Sequence, residues 1–318
     1  MRIKFSINKE TCFAYWVQSL IEWGGVISKA DAEYYRAQGG SFSVEESEAL
    51  ERLKPVLQKE DNYYLWLWGR YVGDKIRDER EKQIWESVVS TLSPRFNELW
   101  AAEFPLLEGW KKELEASDLS AMQGVFEFSE KFFGVGDSKN QEVDVRLCLG
   151  NFPEAPEGHA KREFPEFVLA NISHTLHAQL PRVLGVIAHE ILHKIEYQSP
   201  ISTNLLKNSY DEIIKPAGIT TEWKWKDLMT EAVITSVASK RFNNFFGRMI
   251  VKDEKMIKSD VVAKMNFEKY GKISGSLIRV VAGRLESLTA KYLNEGRVID
   301  QEYCDEVARQ WVKLFTEK

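Results

Sequence analysis

The stretch Val183-Leu-Gly-Val-Ile-Ala-His189-Glu190-Ile-Leu-His193-Lys-Ile195 constrains this chain more than any other part of it. Val183, Val186, Ile187, Ile191, Leu192 and Ile195 make the stretch apolar on most sides, which predicts a helix buried within its domain. Pro181 suits the first helical turn and Ser199-Pro200 suits the stop, so the helix is expected over about residues 181–198. Two histidines and a glutamate inside such a helix need partners, because burying polar or charged groups alone is costly. His189 and His193 stand four residues apart, which sets both imidazoles on one face, one turn apart. Two ligands of a tetrahedral zinc require that separation. Glu190, beside the first histidine, can reach a water on the ion without ligating it. Zinc lowers the pKa of such a water toward about 7. Glu190 would then take its proton and later pass it to the leaving group. One zinc ion is expected, although Mn, Co or Fe remain compatible with ligation of this kind.

A catalytic zinc usually takes three protein ligands and keeps one position open. Glu231 is the leading candidate for the third. It lies in Asp227-Leu-Met-Thr-Glu231-Ala-Val-Ile-Thr235-Ser-Val-Ala238, a second apolar helix, where a carboxylate wants a cation. Glu196 is seven residues after His189, about 10.5 Å along a helix axis, too far to share one ion with both histidines unless the helix breaks. It reads as orienting a ligand histidine, or as exposed. His174 and His177, just before the helix, could ligate or touch substrate. Cys148 could be an upstream thiolate ligand, an arrangement similar to that of peptide deformylases, whose glycine-rich and glutamine signatures are absent here. Gly185, one turn before His189, reads either as a close-packing position or as a tolerated glycine.

The pairing of His189-Glu190-x-x-His193 with a glutamate on a later helix resembles the gluzincins, the thermolysin-like branch of the zincin metallopeptidases, over roughly residues 140–240. The resemblance implies His189, His193 and Glu231 as zinc ligands, Glu190 as general base and a peptide or protein substrate. It also implies an edge strand before the helix, to which an extended peptide adds by main-chain hydrogen bonds; Phe167–Ile172 sits where that strand belongs. An oxyanion donor of the tyrosine or histidine type is implied as well, and Tyr210 is the candidate, with Tyr197 behind it. Two features depart from the pattern. The 37 residues between His193 and Glu231 exceed the thermolysin spacing, and Thr235 stands where thermolysin-type enzymes carry an aspartate. Asp227 or Glu196 could supply that carboxylate.

The rest of the chain reads as α+β and mostly helical. Ile3, Phe5 and Ile7 alternate like a strand, and Thr11 to about Phe133 is mainly helical, punctuated at Gly39-Gly40, Ser93-Pro94 and Pro105. Seven of the ten tryptophans precede residue 111, at helix-stripe spacing, so they read as packing rather than as a ligand platform. A composition break near residue 137 divides a helical, Trp-rich N-terminal domain (1–137) from a zincin-like domain (138–318) with a small sheet. Strands are expected from Val143 to Leu149 and from Phe167 to Ile172, with a Pro/Gly loop between them. Helices are expected near 225–243, 257–269, 275–293 and 301–316.

A net charge of −5 offers no basic field for nucleic acid. No apolar run is long enough to span a bilayer, and the first residues do not read as a signal peptide. Three scattered cysteines fit a reducing compartment, so a cytoplasmic protein is expected, with leaderless export still compatible. Zinc-assisted hydrolysis of a peptide bond is the leading expectation. The alternatives are hydrolysis of a small amide, as in deformylation, and a non-catalytic zinc-stabilised module that binds a protein partner through the aromatic N-terminal segment.

Overall fold

The computed structural model describes residues 1–21, 33–37, 40–58, 79–136, 141–150, 157–160, 167–172, 180–219, 225–242 and 275–316. The expected helix at 257–269, the composition break near 137, and Trp23, Trp66 and Trp68 lie outside these residues. The described chain is mostly helical with one small sheet, as α+β requires. In order, it forms β1 (Arg2–Ser6), α1 (Lys9–Leu20), α2 (Val44–Gln58), α3 (Glu79–Ala116), α4 (Ser120–Phe132), β2 (Glu142–Leu149), β3 (Glu157–His159) and β4 (Phe167–Ile172). Then follow α5 (Leu180–Gln198), α6 (Ser202–Ser209), a π-helical turn (Tyr210–Ile214), α7 (Trp225–Phe242), α8 (Gly275–Glu295) and α9 (Gln301–Thr316). Helices α5, α7, α8 and α9 fall within two residues of the bounds expected from apolar periodicity and stop signals. No helix among the described residues is long and apolar enough to cross a membrane.

The chain divides into two compact units that interleave in sequence. One comprises Met1–Arg2, Asp118–Glu142 and Ile187–Lys318; the other comprises Ile3–Ser117 and Val143–Val186.

The second of these units holds the sheet, in the order β1-β2-β4-β3. β2 and β4 run parallel, with Val145 opposite Val168 and Leu147 opposite Ala170. β3 runs antiparallel to β4, with Gly158 opposite Ala170. β4 is therefore an interior strand, buried at all six residues, and not the free edge expected for peptide addition. Its run of buried residues, apolar except for Asn171, is what a strand covered on both faces carries. The strand that caps it, β3, lies in the stretch read as a Pro/Gly loop; three residues are too few to show alternation.

In the same unit, Phe13 of α1 meets Trp16, Trp85 and Phe96 at ring-centroid separations of 5.8, 5.6 and 5.1 Å. Trp16, Trp85 and Trp110 are buried, so these indoles serve packing. α3 runs unbroken through Pro94 and Pro105, which were expected to end helices. Each proline removes one backbone hydrogen bond. The loss is outweighed by a stripe of buried residues on both sides, Val88, Leu92, Phe96, Leu107, Trp110 and Leu114.

The other unit is a helical assembly in which α7 packs along α8 and also touches α4, α6 and α9. Phe132, Tyr292 and Tyr303 form a mutual ring cluster in its core. The Thr289 hydroxyl is shared between Ser236 of α7 and Tyr303 of α9, which ties three helices together in the interior. A buried hydroxyl chain of this kind resists sliding, because any shift leaves a polar group unpaired. Helix α7 is thereby held in register.

Candidate metal centre

Helix α5 buries Val183, Leu184, Ile187, Ala188, Ile191, Leu192 and Ile195. Its C-terminal end is fastened by side chains. The Ser199 hydroxyl donates to the Phe133 carbonyl at 2.6 Å, and the Ser202 hydroxyl donates to Glu196 Oε1 at 2.7 Å. His189 and His193 stand on one face of this helix, with ring centroids 4.8 Å apart and planes at 72°.

Glu231, at the middle of α7, meets both rings. His189 Nε2 lies 3.2 Å from Glu231 Oε2, His193 Nε2 lies 3.1 Å from Glu231 Oε1, and the two Nε2 atoms are 3.1 Å apart. Ligands bound to zinc at about 2.0–2.1 Å in tetrahedral geometry stand roughly 3.3 Å from one another. The two imidazole nitrogens stand near that spacing, Glu231 meets each of them through a different oxygen, and one ligand atom from each residue falls within 4.8 Å of the others, so the three could hold a metal ion. Among the described residues no other group of this kind is found.

The group is partly accessible: the side chains are 6 % exposed for His193, 17 % for His189 and 28 % for Glu231, so solvent touches it mainly at Glu231 and His189. Around each ring the picture is less complete. Nδ1 of both histidines is buried without a partner among the described residues, whereas a ligating imidazole commonly donates that N–H to a carboxylate or carbonyl.

The group is strongly coupled electrostatically. Burial alone would lower the His193 pKa, but the charge and hydrogen bond of Glu231, followed by the charges of Glu190 and Glu196, push it up to about 9. Burial alone would raise Glu231, yet His193 and His189 hold its carboxyl well below the usual range. The signs set a pH window for the metal-free protein. A raised histidine contributes stability that is complete below its unfolded value near 6.5 and is lost as pH rises through about 9. A depressed carboxylate contributes stability that is present above about 4.5 and lost on acidification. Denaturant unfolding of metal-free wild type and His193→Asn is expected to show a stability difference that shrinks between about pH 6 and about pH 9. A difference independent of pH would contradict this coupling.

The other residues singled out from sequence fall as follows. Glu190 is buried at 9 % exposure, next to His189 on α5. Glu196 is neither exposed nor bonded to a ligand ring; it is fully buried and takes the Ser202 hydroxyl. Tyr210 opens the π turn, which packs on α9, and its ring lies 6.3 Å from Trp225. The Tyr197 ring lies 5.9 Å from that of His193. Thr235 is buried one turn after Glu231. Cys148 is buried in β2 with Sγ 3.5 Å from Cys12 Sγ. Gly185 is buried. His174, His177 and the Asp227 side chain lie outside the described residues. The Lys226 ammonium lies 4.9 Å from the Tyr197 ring centroid.

Comparison with models of known protein families, with curated proteins and with solved structures found no match for this chain. The functional reading rests on the site itself.

Proposed function

We propose that this chain is a zinc-dependent metallohydrolase of the gluzincin type, cleaving peptide bonds. The observation that carries the reading is the convergence of His189, His193 and Glu231 from two helices, with one ligand atom from each within 4.8 Å of the others and the group partly exposed. The donor set fits zinc: two imidazole nitrogens and one carboxylate with an open position is a catalytic pattern, not a closed structural one. When bound there, zinc supplies Lewis acidity and brings a water's proton within reach of a carboxylate base at neutral pH. His189, His193 and Glu231 hold the ion. Glu190, fixed beside His189 in a buried helix turn, accepts the proton of the attacking water and returns it to the leaving amine. Its negative charge contributes, after that of Glu231, to raising the His193 pKa, which supports this role.

Elemental analysis and peptide cleavage on one preparation test the reading. Expected are one zinc per chain, loss of cleavage after removal by a chelator, and recovery on adding zinc back. Zinc at 100 times its Kd should also raise the unfolding free energy by about 2.7 kcal/mol. A demetallated protein that cleaves as fast as the loaded one would end the proposal, as would failure to bind any divalent transition metal.

A further inference from the structure

We propose that Cys12 and Cys148 form an oxidation site, at which hydrogen peroxide joins the two sulfurs as a disulfide that staples α1 to β2. The proposal does not rest on the metallohydrolase reading. Both cysteines belong to the unit that holds the sheet, whereas His189, His193 and Glu231 belong to the other. Cys12 stands on α1, where every residue from Thr11 to Leu20 is buried, and Cys148 stands near the end of β2. Both thiols are buried, and their Sγ atoms are 3.5 Å apart. Regular backbone holds each of them. Asn8 caps α1 by accepting the Thr11 N–H at 2.7 Å, and Cys148 lies opposite Asn171 in the parallel ladder of β2 and β4. Arg146 of β2 also donates to the Thr11 hydroxyl at 3.4 Å, beside Cys12.

A disulfide needs its sulfurs at about 2.05 Å, so the bond closes a gap that the fold has already reduced to van der Waals contact. The two residues are 136 positions apart, and the folded chain has brought them together before any oxidant arrives. As a thiol, Cys12 finds the Leu147 carbonyl as an acceptor at 3.5 Å. A disulfide carries neither proton nor charge, so the oxidised pair suits a buried setting without further partners. The hydrogen bond to Cys148, followed by burial, holds the Cys12 thiol well above its usual range, so oxidation is slow and calls for a small, uncharged oxidant. Cys12 is the more exposed of the two, 6 % against 1 %, so its sulfur is attacked first. As thiolate, it bonds to one peroxide oxygen, the O–O bond breaks, and the departing hydroxide takes up the thiol's proton as water. Cys148 sulfur then bonds to the Cys12 sulfur, the S–O bond of the sulfenic acid breaks, and hydroxide leaves with the Cys148 proton as a second water. Two thiols lose two electrons and one peroxide becomes two waters.

Peroxide treatment of the folded full-length chain, followed by denaturation, alkylation and peptide mapping, tests this. Of the three thiols, only Cys304 on α9 is expected to stay free, and the Cys12 and Cys148 peptides should be joined. The thermal midpoint of the oxidised protein should rise by at least about 4 °C, since the link closes a long loop of the unfolded chain. Dithiothreitol should reverse both changes, and neither should occur in Cys148→Ala, while Cys304→Ala should behave as wild type. Mapping of the wild type needs no variant to fold. Three free thiols after treatment, sulfinic or sulfonic acid without a cross-link, or a link that includes Cys304 or a second chain would overturn the proposal. A Cys12–Cys148 link with an unchanged or lower midpoint would also overturn it, because the bond would then be no staple. Zinc content and peptide cleavage enter none of these outcomes, so the metal reading stands or falls separately.

Discussion

A Glu190→Gln protein is expected to keep one zinc per chain and to cleave peptides about 10²–10⁴-fold more slowly than wild type, the range a general base contributes. Retention of the metal follows from the geometry. The donors that cluster are His189, His193 and Glu231, and Glu190 is not one of them. Glutamine matches glutamate in length, so the buried position beside His189 stays filled and the helix keeps its packing. Only the capacity to accept a proton is removed. Turnover and bound metal must be read on the same sample. Unchanged turnover would remove Glu190 from the reaction, and loss of zinc would make it a ligand instead of a base.

Glu231→Gln tests the other half of the site, and its largest effect falls on the metal. Glu231 is the sole anionic donor in the group and touches both Nε2 atoms. Replacing it with an amide is expected to weaken zinc binding by more than the roughly 10–100-fold that loss of an outer-shell partner costs. Competition with a chromophoric chelator measures the affinity. A second readout needs no metal. Glu231 is the main influence holding His193 up near 9, so NMR titration of the metal-free variant should show the His193 pKa falling. Glu196→Gln is the control. Glu196 spends one oxygen on Ser202, so zinc affinity in that variant should stay close to wild type. Equal losses in both variants would point to general electrostatics instead of ligation by Glu231.

Much of the local structure was legible because it depends on near neighbours. The bounds of α5 follow from Pro181, the apolar spacing and Ser199-Pro200, and those of α7, α8 and α9 follow from periodicity. Elsewhere a local signal was outvoted. Pro94 and Pro105 favour a break, yet α3 continues because its buried stripe has partners on both sides. β3 carries too few residues to announce itself, and without it β4 reads as an edge. Glu196 ends as a buried carboxylate on Ser202, an outcome set by how the chain turns after α5. The nearness of Tyr197 to His193 was legible from spacing alone, since four residues after His193 is one more turn on the same face.

What the sequence settled by itself is one helix and the two imidazoles on it, because a 3.6-residue repeat converts spacing into direction without reference to the rest of the chain. The tertiary structure decided that a carboxylate 42 residues from His189 closes the triangle, and that a lysine near the start of the same helix reaches the Tyr197 ring. Those pairings depend on how α5 and α7 pass each other. That is a matter of packing and of the hydroxyl chain through Ser236, Thr289 and Tyr303, which no local pattern encodes.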